Sequence, residues 1–278
     1  MSIHGDKQYE QRARAILPIL VRQAQAGQAI TYMGLSLETA IHHRAFAYPL
    51  GTVAEVLRDL GEQWNEPIPA LTSIVVNSYT GRPGPGFGWA VAGMDGYQNM
   101  PPWRQTVMAD QAREECFHYD KWPAVLAALG LPPVEPAVSP ALLAAAAGRG
   151  SGEGERHRRL KEFVAANPAL VGLPRSTPRG TLEYLLPSAD AIDVLFVSGD
   201  EYVAVEVKAA NAGPADILRG LYQCVKYTAL LKAELAVKGE RPAARAVLAL
   251  EASLPEALIP ARNTLGITVY DSIVPIES

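Results

Sequence analysis

Residues 191–210 read AIDVLFVSGDEYVAVEVKAA, two apolar runs joined by a polar turn. Asp193 stands at the head of the first run, and Glu206 and Lys208 stand near the end of the second. Side chains alternate faces along a strand. Tyr202, Ala204, Glu206 and Lys208 therefore share one face, and Val203, Val205 and Val207 share the other, which is expected to meet the core. With Ser198, Gly199, Asp200 and Glu201 as a four-residue loop, Val197 opposes Tyr202, Leu195 opposes Ala204 and Asp193 opposes Glu206. Opposed residues lie within about 5.5 Å at Cβ. A slip of one residue would set Asp193 beside Val205 instead. Two opposed carboxylates repel unless one takes a proton or both take a cation. Mg²⁺ prefers oxygen ligands and is held by one or two carboxylates plus substrate phosphate. A neighbouring lysine cannot ligate it while charged, but it can orient a water or stabilise charge building on a phosphate. That combination is the chemistry of metal-assisted phosphodiester hydrolysis.

The elements around this hairpin must hold it in place. Upstream, GERHRRLKEFVAA (154–166) predicts a helix and GTLEYLL (180–186) a strand. Downstream, 214–236 predicts a long helix, followed by strand ARAVLALE, helix LPEALIPARN and strand GITVYD. The order αβββαβ with one further αβ step predicts an α/β mixed sheet with helices on its faces, over residues 153–278. On the long helix, Gln223 and Tyr227 are four residues apart and share a face. Residues 131–152, with Pro132, Pro133, Pro136 and Pro140 and a Gly/Ser end, read as a Pro/Ala/Gly linker whose alanine run forms a short helix. Residues 1–130 form a separate, mostly helical domain. Helices are expected near 7–27, within AITYMGLSLETAI and YPLGTVAEVLRDLGEQW, and at QTVMADQAREECFHY and KWPAVLAALG. ALTSIVVNS reads as a strand and YTGRPGPGFG as a Gly/Pro loop.

The hairpin resembles the PD-(D/E)XK nuclease superfamily, with Asp193 as the lone acid and Glu206-Val207-Lys208 as Glu-x-Lys. QCVKY (223–227) matches the Q-xxx-Y motif of its RecB-like branches. The resemblance covers roughly residues 153–250. It implies a restriction-endonuclease-like core, with Asp193, Glu206 and the Val207 carbonyl on one or two Mg²⁺ ions, Mn²⁺ being a substitute. Lys208 would position the water, and Gln223 and Tyr227 would support site and substrate. Glu183, on the strand before, and Glu155, on the first helix, are further site candidates, Glu155 as a metal ligand. The implied activity is phosphodiester hydrolysis in DNA by an endonuclease, in restriction, anti-phage defence or repair, with a homodimer as a possible assembly. RAFAYPLGTV and IPALTSIVVNSYTGRPGPGF weakly resemble the winged-helix DNA-binding domain of alkyltransferase-like proteins, but the reactive Pro-Cys-His-Arg segment is missing.

The basic run Arg156, Arg158, Arg159, Lys161, Arg175 and Arg179 is interrupted only by Glu162. It is expected to carry a phosphate backbone, since such contacts give affinity without sequence choice. The bland reading of a charge run is a solvated helix face. Asp190 reads as a turn residue, His157 as an exposed helix residue, and His42-His43 as surface. The overall charge of -4 offers nucleic acid no global attraction. Residues 1–150 hold 11 Lys and Arg against 13 Asp and Glu, so a simple duplex-binding role for the first domain is weakened. Cys116 and Cys224 form no zinc or disulfide pattern. Without an apolar leader at the N-terminus or an uncharged apolar stretch long enough for a bilayer, a cytoplasmic protein with no membrane partner is expected. The rival reading is a catalytically inactive DNA-binding or regulatory protein built on a nuclease-like domain.

Overall fold

A computed structural model of the chain describes residues 3–91, 94–135, 143–144, 146, 154–239 and 243–275. The chain divides into two compact units, Met1–Pro136 and Ala137–Ser278.

The first unit is built on helix α1 (Gln8–Gln25), whose predicted stripe of Ala13, Ile16, Leu17, Leu20, Val21 and Ala24 is buried. Glu10 reaches back to the Lys7 amide at 3.0 Å and closes the first turn. Strand β1 (Ile30–Thr31) leads into α2 (Tyr32–Thr39), where Thr31 caps the helix by accepting from the Gly34 amide. Helix α3 (Ala47–Trp64) buries Val53, Val56, Leu57 and Leu60 against the same core. The predicted strand over ALTSIVVNS is mostly a 3₁₀ turn, Leu71–Ile74, followed by a two-residue strand β2 (Val75–Val76). Strand β2 pairs in parallel with β1, and one antiparallel bridge from Val76 to Pro83 closes the Gly/Pro loop. The short helices α4 (Phe87–Val91) and α5 (Met94–Gln98) precede α6 (Pro102–His118) and α7 (Trp122–Ala128), and Trp122 is fully buried. Leu131 and Val134, at the start of the expected linker, pack on this core. Much of the rest of that segment lies outside the described residues.

The second unit contains α8 (Glu155–Ala166), β3 (Thr181–Leu185), β4 (Ala191–Ser198), β5 (Glu201–Lys208), α9 (Pro214–Val237), β6 (Ala243–Leu250), α10 (Ile259–Leu265) and β7 (Thr268–Tyr270). The five strands form one mixed sheet in the order β3-β4-β5-β6-β7. The β3–β4 and β4–β5 pairs are antiparallel, and β5–β6 and β6–β7 are parallel. Helix α8 covers one face, where Leu160 and Val164 meet Val194, Phe196, Val203, Val205 and Val207. Helix α9 covers the other, where Leu218, Leu221 and Cys224 meet Leu195, Ala204 and Leu248. Both faces of β5 are therefore buried, and the Glu206 face lies under α9 rather than toward solvent.

The hairpin turn is tighter than the expected four-residue loop. Ser198 pairs with Glu201, leaving Gly199 and Asp200 at the tip, with Gly199 at φ +59° where a side chain would be strained. The register is unaffected, because the strands are each one residue longer. Val197 pairs with Tyr202 and Leu195 with Ala204, as the alternation predicts.

Candidate active site

The β4–β5 ladder ends at Val194–Val205. One step further, Asp193 does not stack on Glu206 as a simple cross-strand pair. Its Oδ2 instead accepts the Val207 amide at 2.8 Å, so the side chain takes the hydrogen bond that the β4 backbone has given up. Here the strand also changes faces. Val194 and Phe196 pack toward α8, whereas Ile192 packs in the core under α9. Strand β3 does the same: Leu182 packs toward α8 and Tyr184 toward α9. Between them Glu183 has φ +51°, left-handed for a residue with a side chain. Such a conformation costs on the order of 1–3 kcal/mol and needs its surroundings to hold it. The pairs on either side, Leu182–Val194 and Tyr184–Ile192, place Glu183 opposite Asp193. A row of three acids, Glu183, Asp193 and Glu206, thus crosses three adjacent strands. It runs from a half-exposed side chain at Glu183 to a buried one at Glu206.

Glu206 and Lys208 project from β5 beneath α9. Lys208 Nζ donates to Glu206 Oε1 at 2.6 Å and lies 3.5 Å from Gln223 Oε1. Gln223 Nε2 donates to the Tyr227 hydroxyl at 3.3 Å, and that hydroxyl donates to the Ala191 carbonyl at 3.0 Å. The Gln223–Tyr227 pair thereby joins Lys208 to the backbone at the head of β4. Burial pushes the Glu206 carboxyl up to about 7, and the charge of Asp193 adds to this, against the downward pull of Lys208. Burial, followed by the charges of Glu206 and Asp193, also raises the Tyr227 phenol. Tyr227 is therefore a donor rather than a base. Cys224 is buried and its thiol is pushed up, chiefly by desolvation, which makes it a poor nucleophile. Gly220 is a position the sequence reading missed. A Cβ there would lie 2.9 Å from Leu248 Cδ1 and 3.1 Å from Lys208 Cε, so α9 approaches the site closely only because this residue has no side chain.

Helix α8 contributes different residues from those expected. Glu155, expected as a metal ligand, is an exposed side chain that pairs with Arg158 at 2.6 Å, and no contact joins it to the acid row among the described residues. The helix phase is set by Leu160 and Val164, and it carries His157 and Lys161 to the sheet. His157, expected on the surface, has its Nε2 at 2.9 Å from the Val207 carbonyl and 3.5 Å from Asp193 Oδ2. The Asp193 hydrogen bond raises the imidazole pKa above its ordinary 6.5, against the opposing effect of burial. Lys161, expected in the phosphate track, is buried with 4% exposure. Its ammonium pairs with Glu183 and lies 3.8 Å from Asp193 Oδ1. Glu183 is thus brought to the site, but as the partner of Lys161. The missed signal was the stripe 157, 160, 161, 164, which has the spacing of a core-facing helix side.

The remaining basic residues stay on the surface. Arg156 pairs with Glu251 at 2.7 Å, and Arg156, Arg159 and Glu251 line a cavity of about 560 Å³ in the second unit. Arg158, Arg175 and Arg179 are exposed. Asp190 is a turn residue bonded by Ser188 and Lys226. His42 and His43 stack on each other with ring centroids 4.3 Å apart. Among the described residues no group of three or more His, Cys, Asp or Glu side chains is arranged to hold a metal ion. Any cation at the acid row would therefore need backbone or substrate oxygens beside Asp193 and Glu206. No helix among the described residues is long and apolar enough to cross a membrane. Compared with known proteins, the chain matches no family model, no curated protein and no solved structure.

Proposed function

We propose that the chain is a divalent-metal-dependent nuclease acting on DNA, with a PD-(D/E)XK-like second unit. The observation that carries this reading is the meeting of Asp193, Glu206 and Lys208 where β4 leaves β5, with Gln223 and Tyr227 bonded above them. The donors suit a hard cation. Glu206 is a buried carboxylate whose ionisation is opposed by burial and by Asp193, and a divalent ion would relieve both. Asp193, Glu206 and the Val207 carbonyl would hold Mg²⁺ or Mn²⁺. When bound, the ion polarises a phosphate and makes a water acidic enough to attack. Lys208 carries a positive charge beside the acids, where it can orient that water or offset charge developing on the phosphate. Gln223 fixes Lys208, and Tyr227 fixes Gln223. Arg156 and Arg159 offer a phosphate strand a cationic approach along the outer side of α8.

The first unit would select the target or control cutting, with restriction, defence or repair as its setting; this last step is analogy at the level of the fold. A second reading, an inactive DNA-binding or regulatory protein, draws on one observation: His157 already bonds the Val207 carbonyl and the Lys161 ammonium already lies beside Asp193.

Cleavage of supercoiled plasmid, linear duplex, single-stranded DNA and RNA, with Mg²⁺, Mn²⁺ or EDTA, separates the two. The nuclease reading expects metal-dependent cutting that falls by roughly 100- to 10,000-fold in Lys208→Ala. Asp193→Asn is expected to lose cutting as well while remaining folded. Full activity in either pure variant overturns it, and no cutting of any substrate favours the second reading.

A further inference from the structure

Resting on the metal reading above, we infer that Lys161 is a resident cation holding the Glu183 end of the acid row, so that the site takes one divalent ion and not two. The sequence alone leaves open whether one ion or two would bind. The structure fills one of the two gaps. Lys161 leaves α8 between Leu160 and the sheet, is buried with 4% exposure, and pairs with Glu183 while lying 3.8 Å from Asp193 Oδ1. An ammonium there repels a divalent ion placed between Glu183 and Asp193; Lys161 and Asp193 are mostly shielded from solvent although Glu183 is half-exposed, so the repulsion is only partly screened.

The backbone is consistent with this assignment. Glu183 keeps a left-handed conformation, φ +51°, in the middle of β3, where its carboxylate meets Lys161. At 3.8 Å the Lys161–Asp193 contact is too long for a hydrogen bond. Oδ2 of Asp193 is committed to the Val207 amide, and Oδ1 faces Lys161 without a hydrogen bond from it, so a divalent ion reaches Oδ1 only from the side away from the ammonium. The gap between Asp193 and Glu206 is the one left for metal. Lys161 is a positioning residue in this scheme. It neutralises Glu183 and sets the number of ions.

The test is Mn²⁺ titration of the full chain by calorimetry, with bound Mn²⁺ counted independently by electron paramagnetic resonance. Wild type is expected to bind one ion per chain. Glu183→Gln, a near-isosteric change at a half-exposed side chain, is expected to keep that single ion. Lys161→Met is expected to gain a second ion or to bind the first more tightly, on the order of tenfold or more. Two ions in wild type, falling to one in Glu183→Gln, would overturn the inference and leave the nuclease reading standing. Unchanged number and affinity in a folded Lys161→Met also overturns it. No ion in wild type removes both the inference and the metal reading beneath it.

Discussion

The Val207 amide donates to Asp193 Oδ2 at 2.8 Å, one step beyond the last backbone pair of β4 and β5. A side chain here completes a sheet that the main chain has left. The Val207 carbonyl, on the same residue, meets His157. Asp193 and His157 therefore engage the two polar groups of the Val207–Glu206 end of the strand, and the acids are held apart from the ordinary ladder in a gap between strands.

Gly220→Ala is expected to damage the site more than the fold. Alanine favours a helix over glycine by about 1 kcal/mol. Its methyl, however, would meet Leu248 and the Lys208 Cε atom at contact distances that force one of them to move. Under the proposed nuclease reading, if Lys208 moves, cutting is expected to drop by roughly 100-fold, the usual cost of a misplacement near 1 Å. Cleavage rates and thermal unfolding, measured side by side, are expected to separate: a large kinetic loss with a small change in midpoint.

Glu206→Gln is expected to change the pH dependence of stability in metal-free buffer. The fold favours neutral Glu206, whose carboxyl is raised from 4.5 to about 7. Wild type is therefore best served at low pH and loses this stability as pH climbs through that window, because the unfolded chain releases its proton first. Glutamine cannot ionise. The variant's unfolding midpoint, relative to wild type, is expected to be more favourable at about pH 8 than at about pH 5. A difference independent of pH would contradict the assigned burial of the charge.

His157→Asn is expected to show the opposite trend. A histidine with a raised folded pKa stabilises the protein below its ordinary 6.5, and that contribution is lost as pH rises through the folded value. The variant is expected to lose more stability at about pH 6 than at about pH 9. Denaturant unfolding at the two pH values, in EDTA, checks the sign.

Tyr227→Phe removes the hydroxyl that serves both the Ala191 carbonyl and Gln223. The expected cost is about 0.5–1.5 kcal/mol of stability for the lost hydrogen bond. Under the proposed nuclease reading a smaller fall in cleavage should accompany it, since Lys208 keeps its bond to Glu206. Denaturation midpoints together with single-turnover rates test both halves.

Much of the second unit was legible in its residues. Alternation of Val203, Val205 and Val207 marked β5, and the polar stretch 198–201, read as a four-residue loop, gave the register seen from Val197–Tyr202 to Val194–Val205, although the turn itself is only Gly199 and Asp200. What alternation could not reveal was the change of face at Glu183 and Asp193, because it depends on a left-handed residue that glutamate seldom adopts. Nor did the basic run disclose that Lys161 turns inward. That follows from the rotation of α8, which Leu160 and Val164 set by packing on β4 and β5. In the first unit, Leu71, Thr72, Ser73 and Ile74 have strand-like composition, yet form a 3₁₀ turn because all four are buried around the start of β2. Local propensity yields there to packing.

The left-handed Glu183 has a consequence for solubility. Strand β3 is an edge of the sheet, and Leu185 on it is 68% exposed. A flat, exposed edge invites pairing with another chain and growth into aggregates. The twist at Glu183 divides the edge into residues 181–182 and 184–185, which turn different side chains to each face. Neither half is long enough to template a foreign strand, so the conformation that aims an acid at Lys161 also guards the sheet against edge-to-edge aggregation.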